Sequence, residues 1–371
     1  MSNLMTLLDH GQSVWLDYID RNLVNNGGLK ELVGLGVRGV TSNPTIFEKA
    51  ISSSADYDAA IRDLIQADHN IDADSLYHWL TLQDIQDAAD ILHDVYVSTK
   101  GADGYVSLEV SPHLANDTDA TIDAARTLWR QVRRPNLMIK VPGTDNGIPA
   151  IETLISEGIN VNVTLLFSVA QYEAVAAAYL RGVEKNPDPG QVASVASFFV
   201  SRIDSKVDPL LDDIASPEAR ALKGKMAVAS AKHAYQQYLE IIQSNGFRKQ
   251  MERGARKQRL LWASTSVKNP AYSQLLYVDS LIGKDTVNTL PPKTLEEFMV
   301  HANIRSVLED SLEINQAIHD LKQLADVGIS LEEVCQQLLK EGIASFAKSY
   351  DQLHTVLRDK CTKVTENYAG A

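Results

Sequence analysis

Lys140 interrupts an otherwise apolar run, Asn136-Leu137-Met138-Ile139-Lys140-Val141-Pro142-Gly143-Thr144. A run of about 4–8 apolar residues bounded by Pro and Gly reads as a buried parallel strand. An unpaired ammonium is costly to bury there, and the usual response is a depressed pKa that leaves a neutral, nucleophilic amine. Such an amine attacks carbonyls and forms imines. On this run alone, a lysine that snorkels to water or pairs with a carboxylate explains the sequence equally well. The choice rests on the polar residues of the neighbouring strands.

Strand residues alternate faces, and several strands carry polar side chains on one face near their C-terminal ends. Asn160, Asn162 and Thr164 share one face, against Ile159, Val161, Val163 and Leu165 on the other. Tyr105, Ser107 and Glu109 oppose Val106, Leu108 and Val110, and Asp17 opposes Leu16. Further strands end at Asn43, Ser197 and Ser264. Each residue has an ordinary alternative: Asp17 could cap a helix, Asn43 before Pro44 could start a turn, and Glu109 could be a surface charge. Their shared placement at strand ends is what those alternatives leave unexplained.

The elements that carry them alternate from end to end. Strands are predicted at residues 14–18, 37–43, 105–110, 137–141, 159–164, 192–197, 258–264 and, more weakly, 285–289. Helices are predicted around 23–33, 84–97, 118–133 and 203–244. Residues 246–257 read as a basic, solvated loop, and Leu331, Val334, Cys335, Leu338 and Leu339 space as an amphipathic helix. Residues 368–371 have nothing to bury and are expected to fray. Eight alternating strands fit a closed (β/α)8 barrel or an open doubly wound sheet. Only a barrel brings polar ends from the first to the seventh strand together at one mouth, where barrel enzymes keep their active sites. No Ser/Gly/Pro-rich linker divides the chain, so residues 1–371 read as one TIM-barrel domain with extra C-terminal helices from about 305. Gly34-Leu35-Gly36-Val37-Arg38-Gly39 matches G-x-G-x-x-G but follows a helix and opens a strand, the reverse of a dinucleotide fingerprint.

Composition narrows the function classes. The 371 residues are 44% hydrophobic and 22% charged, ordinary values for a chain with a sizeable core. A formal net charge of −13 argues against a nucleic-acid partner. Two cysteines, Cys335 and Cys361, exclude a disulfide framework or a cysteine-built metal site, and the histidines show no paired ligand spacing. Neither a signal-peptide pattern nor an apolar run of about 18 residues is present, so the chain is expected to be cytoplasmic, with no membrane partner.

Thr41-Ser42-Asn43-Pro44-Thr45-Ile46-Phe47, the Lys140 run, Gly158-Ile159-Asn160-Val161-Asn162-Val163-Thr164-Leu165-Leu166-Phe167-Ser168 and Ser197-Phe198-Phe199-Val200-Ser201-Arg202-Ile203-Asp204 together resemble transaldolase, in order, from about Asp17 to Pro292. Leu261-Trp262-Ala263-Ser264-Thr265-Ser266-Val267-Lys268-Asn269-Pro270 is similar to the longer bacterial subclass. The resemblance implies a Schiff-base enzyme of the pentose phosphate pathway. It would carry a dihydroxyacetone unit from sedoheptulose 7-phosphate to glyceraldehyde 3-phosphate, giving erythrose 4-phosphate and fructose 6-phosphate without metal or organic cofactor. It further implies Lys140 as imine former, Asp17 as the base at the C4 hydroxyl, and Glu109 with Thr164 as holders of a proton-transferring water. Asn43, Asn162 and Ser197 would bind the dihydroxyacetone unit, and Arg202 and Ser264 the phosphate. Many relatives have Ser-Phe-Arg where this chain has Ser264-Thr265-Ser266-Val267-Lys268, so Lys268 is expected to replace the second phosphate arginine. A fructose 6-phosphate aldolase-like enzyme and an inactive sugar-phosphate-binding barrel are the rival readings; length and Glu109 count against the first, and the intact Lys140, Asp17 and Glu109 against the second.

Overall fold

The computed structural model describes residues 2–369, with side chains described as far as residue 362. Eight strands form a closed, all-parallel barrel in sequence order: β1 Gln12–Leu16, β2 Gly39–Thr41, β3 Tyr105–Glu109, β4 Leu137–Pro142, β5 Val161–Leu166, β6 Ser194–Phe199, β7 Arg259–Ala263 and β8 Thr286–Leu290. β1 closes the ring by pairing with both β2 and β8. Nearly every strand position is buried, because the helices cover the outward side chains while the inward ones fill the lumen.

At the amino-terminal end of the barrel the lumen is plugged. The indole Nε1 of Trp15 donates to Asp103 Oδ1 at 3.0 Å, and Arg259 reaches the same oxygen at 3.2 Å. Gly39 is the register partner of Trp15, and a Cβ there would stand 2.6 Å from the indole. That close approach is what this glycine of the G-x-G-x-x-G match provides. Gly36, with φ +126°, turns the helix Gly28–Leu35 toward β2. The motif therefore links a helix to a strand, with no phosphate-binding helix start.

Several element expectations need correction. The first helix region is two helices, Arg21–Asn25 and Gly28–Leu35, because Gly27 sits between them at φ +86°. Residues 203–244 contain three helices, Ser201–Ile214, Pro217–Ala221 and Met226–Gln243. Residues 246–257 are mostly a helix, Asn245–Glu252, not a loop: Ser244 caps it, and Phe247 and Gln250 are buried. One apolar anchor in two turns leaves no period to read. Asp17, Asn43 and Ser264 stand just past the ends of their strands, where the chain leaves the barrel.

The C-terminal helix is far longer than its apolar stripe suggests, running Leu331–Ala369. Fraying was expected of residues 368–371; the helix includes Tyr368 and Ala369, and Gly370 and Ala371 lie outside the described residues. It crosses the mouth of the barrel. Glu341 pairs with Lys206 at 2.7 Å on the helix after β6, and Ser349 Oγ lies 2.8 Å from Thr45 Oγ1 on the helix after β2. Farther along, Lys360 pairs with Asp58 at 2.7 Å.

Candidate active site

The carboxyl ends of the strands surround a cavity of about 300 Å³. Its wall includes Asp17, Asn43, Lys140, Thr164, Ser197, Arg202, Ser264 and Lys268, eight of the ten residues singled out in the sequence. Glu109 stands behind Lys140, and Asn162 stands behind Ser197.

Backbone register brings the acid and amine groups together. Glu109, Lys140 and Asn162 are partners across β3, β4 and β5, so their side chains enter the lumen at one level. Lys140 Nζ donates to the Ser42 carbonyl at 2.8 Å and lies 3.1 Å from Glu109 Oε2. The ammonium is therefore not unpaired, as the isolated run suggested; the carboxylate pairing left open as an alternative is present. Its contact with Glu109 is a charge contact outside hydrogen-bond alignment. Neither carboxylate oxygen of Glu109, nor the buried Thr164 hydroxyl, has an aligned protein partner.

Asp17 accepts a 2.8 Å hydrogen bond from Thr41 Oγ1, which holds the carboxylate over the end of β1. Burial raises its pKa, against the pull of Lys140, the Thr41 bond and Lys268. Glu109 is likewise raised by burial, opposed by Lys140, while Asp17 adds like-charge repulsion. Two carboxylic groups thus flank one amine, each disposed to hold a proton more tightly than a free side chain.

The hydroxyl-binding candidates divide. Asn43 caps the helix Pro44–Ser53, its Oδ1 accepting from Ile46 N at 2.9 Å, so its amide N–H groups remain for the cavity. Asn162 is fully buried, at the level of Lys140 and behind Ser197. Its amide donates to Ser107 Oγ at 3.0 Å and its Oδ1 accepts from Ser197 Oγ at 2.6 Å. It orients Ser197, which does line the cavity.

The opposite end is cationic. Arg202, in the first turn of Ser201–Ile214, has its guanidinium 5.4 Å from the Phe199 ring centre. Lys268 donates to Ser266 Oγ at 2.7 Å. Ser264 adopts φ +55°, a left-handed conformation that a serine adopts only at some cost, and its hydroxyl meets Ser201 Oγ at 3.2 Å. Both expected phosphate cations thus border one cavity. Sequence reading missed Thr41, Lys49, Phe199 and Ser266, and also Ser345 and Phe346 from the C-terminal helix, all of which line it. Lys49 carried a local signal, since it follows Thr45 by one helical turn beyond a strand-end Asn-Pro. Nothing local marks Ser345 or Phe346.

A closed parallel barrel with a polar pocket at the carboxyl ends of its strands defines a (β/α)8-barrel enzyme. The chain belongs to the transaldolase/fructose-6-phosphate aldolase family, whose model matches residues 14–357. It is 46% identical over 377 residues to a transaldolase of Trichodesmium erythraeum (strain IMS101), covering 98% of this chain and 99% of the relative. A Thiobacillus denitrificans (strain ATCC 25259 / T1) transaldolase is 47% identical, covering 92% and 96%. One from Mycolicibacterium smegmatis (strain ATCC 700084 / mc(2)155) is 46% identical, covering 95% of each. No helix among the described residues is long and apolar enough to cross a membrane.

Proposed function

We infer that the protein is a transaldolase of the pentose phosphate pathway, working in the cytoplasm as one barrel domain. It moves a dihydroxyacetone unit from sedoheptulose 7-phosphate to glyceraldehyde 3-phosphate. The observation that carries the mechanism is the Lys140 amine, 3.1 Å from Glu109, on the wall of a cavity that Asp17 also lines.

Lys140 adds to the ketose C2 carbonyl, and loss of water leaves an iminium. Asp17 takes the C4 hydroxyl proton. The C3–C4 bond breaks, its electron pair flows to the iminium nitrogen, and erythrose 4-phosphate departs, leaving an enamine on Lys140. Glyceraldehyde 3-phosphate enters, the enamine carbon attacks its aldehyde, and Asp17 returns the proton to the new alcohol. Water then hydrolyses the iminium and releases fructose 6-phosphate. The imine is the electron sink, so the reading requires no metal or organic cofactor.

Glu109 and Thr164 would hold the water that shuttles protons during imine formation and hydrolysis; the absence of an aligned hydrogen-bond partner on either side chain supports this role. Asn43, Asn162 and Ser197 would bind the hydroxyls of the three-carbon unit, with Asn162 also fixing the direction of Ser197. Arg202, Lys268 and Ser264 would take the phosphate. An aldolase releasing free dihydroxyacetone and an inactive sugar-phosphate barrel fit less well with a full-length match to transaldolases.

The test is borohydride reduction in the presence of fructose 6-phosphate, followed by peptide mapping. Covalent label on Lys140 is expected. Label on another lysine, or none, overturns the mechanism.

A further inference from the structure

Lys49 belongs to none of the groups above. It projects from the helix Pro44–Ser53 that follows β2, one turn beyond Thr45, and both side chains line the cavity. In the closed barrel β2 lies diametrically across from β6, the strand that leads into Arg202. Lys49 therefore approaches the mouth from the far side. Among the described residues no carboxylate lies within ion-pair distance of Lys49, Arg202 or Lys268; Glu341, the acid that acts on Arg202, is paired with Lys206.

We propose that Lys49 is a third cation of the phosphate end, meeting a phosphate monoester dianion from the side opposite Arg202 and setting the preference for phosphorylated over neutral sugars. This rests on the transaldolase reading of the cavity. Like charges gathered around one space raise the energy of the free protein, and an anion relieves it. Consistent with such crowding, Lys268 is held below the ordinary ammonium range, first by burial and then by Arg202 and Lys49. Lys49 itself is exposed, so it lines the cavity from the solvent rim of the mouth. A lysine supplies a mobile point charge and suits a rim position, whereas the guanidinium of Arg202 supplies fixed, paired donors.

The experiment compares wild type with Lys49→Gln, Lys49→Arg and Arg202→Ala. Inorganic phosphate is titrated by calorimetry, and steady-state rates are measured with fructose 6-phosphate and with unphosphorylated fructose as donors. Lys49→Gln is expected to weaken phosphate binding and raise KM for fructose 6-phosphate by about 5- to 20-fold, as for loss of one charge-assisted contact. KM for fructose should stay within about twofold, and Lys49→Arg should restore most of the phosphate affinity. If Arg202→Ala weakens phosphate while Lys49→Gln does not, Lys49 is a solvated rim lysine and the proposal fails, with the transaldolase reading intact. If neither variant alters phosphate affinity, the phosphate end itself is misassigned. An equal loss with fructose also overturns the proposal, since it would mean a general disturbance of the mouth.

Discussion

Glu109 and Lys140 are register partners on adjacent strands, and their charged ends meet 3.1 Å apart inside the barrel. The carboxylate offsets the cost of burying the amine and stands within proton-transfer reach of it. Glu109→Gln keeps the shape and removes the proton capacity. Imine trapping with fructose 6-phosphate should slow by roughly 10- to 100-fold, toward the lower end of general acid–base effects. The partition between transfer and release of dihydroxyacetone should shift with it. Rapid-quench trapping measures the first and product analysis the second; unchanged values in both would make Glu109 a structural strand end.

Asp17 acts at a different step. Asp17→Asn leaves Lys140 and Glu109 in place, so borohydride trapping should survive while transfer falls by roughly 10²–10⁴. Because burial raises the Asp17 pKa, ionisation of this base is completed above the ordinary aspartate range. The acid limb of the wild-type cleavage rate should therefore lie above that range and vanish in the variant. Parallel loss of trapping and turnover would mean that Asp17 positions the lysine instead.

At the phosphate end, Arg202 offers a planar fork and Lys268 a point charge. Arg202→Ala should cost about 2–3 kcal/mol in binding fructose 6-phosphate and Lys268→Ala about 1, in line with charge-assisted hydrogen bonds. Both losses should nearly disappear with unphosphorylated fructose. If Lys268→Ala binds fructose 6-phosphate as wild type does, Lys268 is not the counterpart of the family's arginine.

Two residues beyond Arg202, Asp204 ties its helix to the rest of the fold. Ala227 N donates to Oδ1 at 2.7 Å and the Tyr277 hydroxyl to Oδ2 at 2.9 Å. Burial nonetheless pushes its carboxyl up to about 6 from an ordinary 3.8. Between those values the folded state holds more protons than the unfolded one, so this group's contribution to stability declines as pH rises through the window. The full shift corresponds to on the order of 3 kcal/mol. Asp204→Asn cannot titrate, so urea denaturation should show the variant gaining on wild type between about pH 4 and 6. Parallel stability profiles would refute the assignment.

Eight alternating segments, and polar residues on the inward phase near their ends, were legible in the sequence because strand alternation is local. The order of the motifs likewise carried Lys140, Asp17, Glu109, Thr164, Asn43, Ser197, Arg202, Ser264 and Lys268 to one mouth before any contact was known. The helix Asn245–Glu252 was not legible, since a polar helix with one buried aromatic has no apolar period. The separate duties of two similar amides were also hidden. Asn43 and Asn162 both end up near the cavity, yet one spends its oxygen on a helix cap and the other is enclosed by two serines. Which hydrogen bonds an amide makes depends on neighbours supplied by other strands. The pairing of Glu109 with Lys140 depends in the same way on register between two strands, and the reach of Ser345 and Phe346 into the cavity depends on a helix that crosses the mouth from beyond β8. Local sequence determined which residues could do the chemistry, because face and strand end are set by neighbours along the chain. Tertiary structure alone decided their partners, because those are set by elements tens to hundreds of residues away.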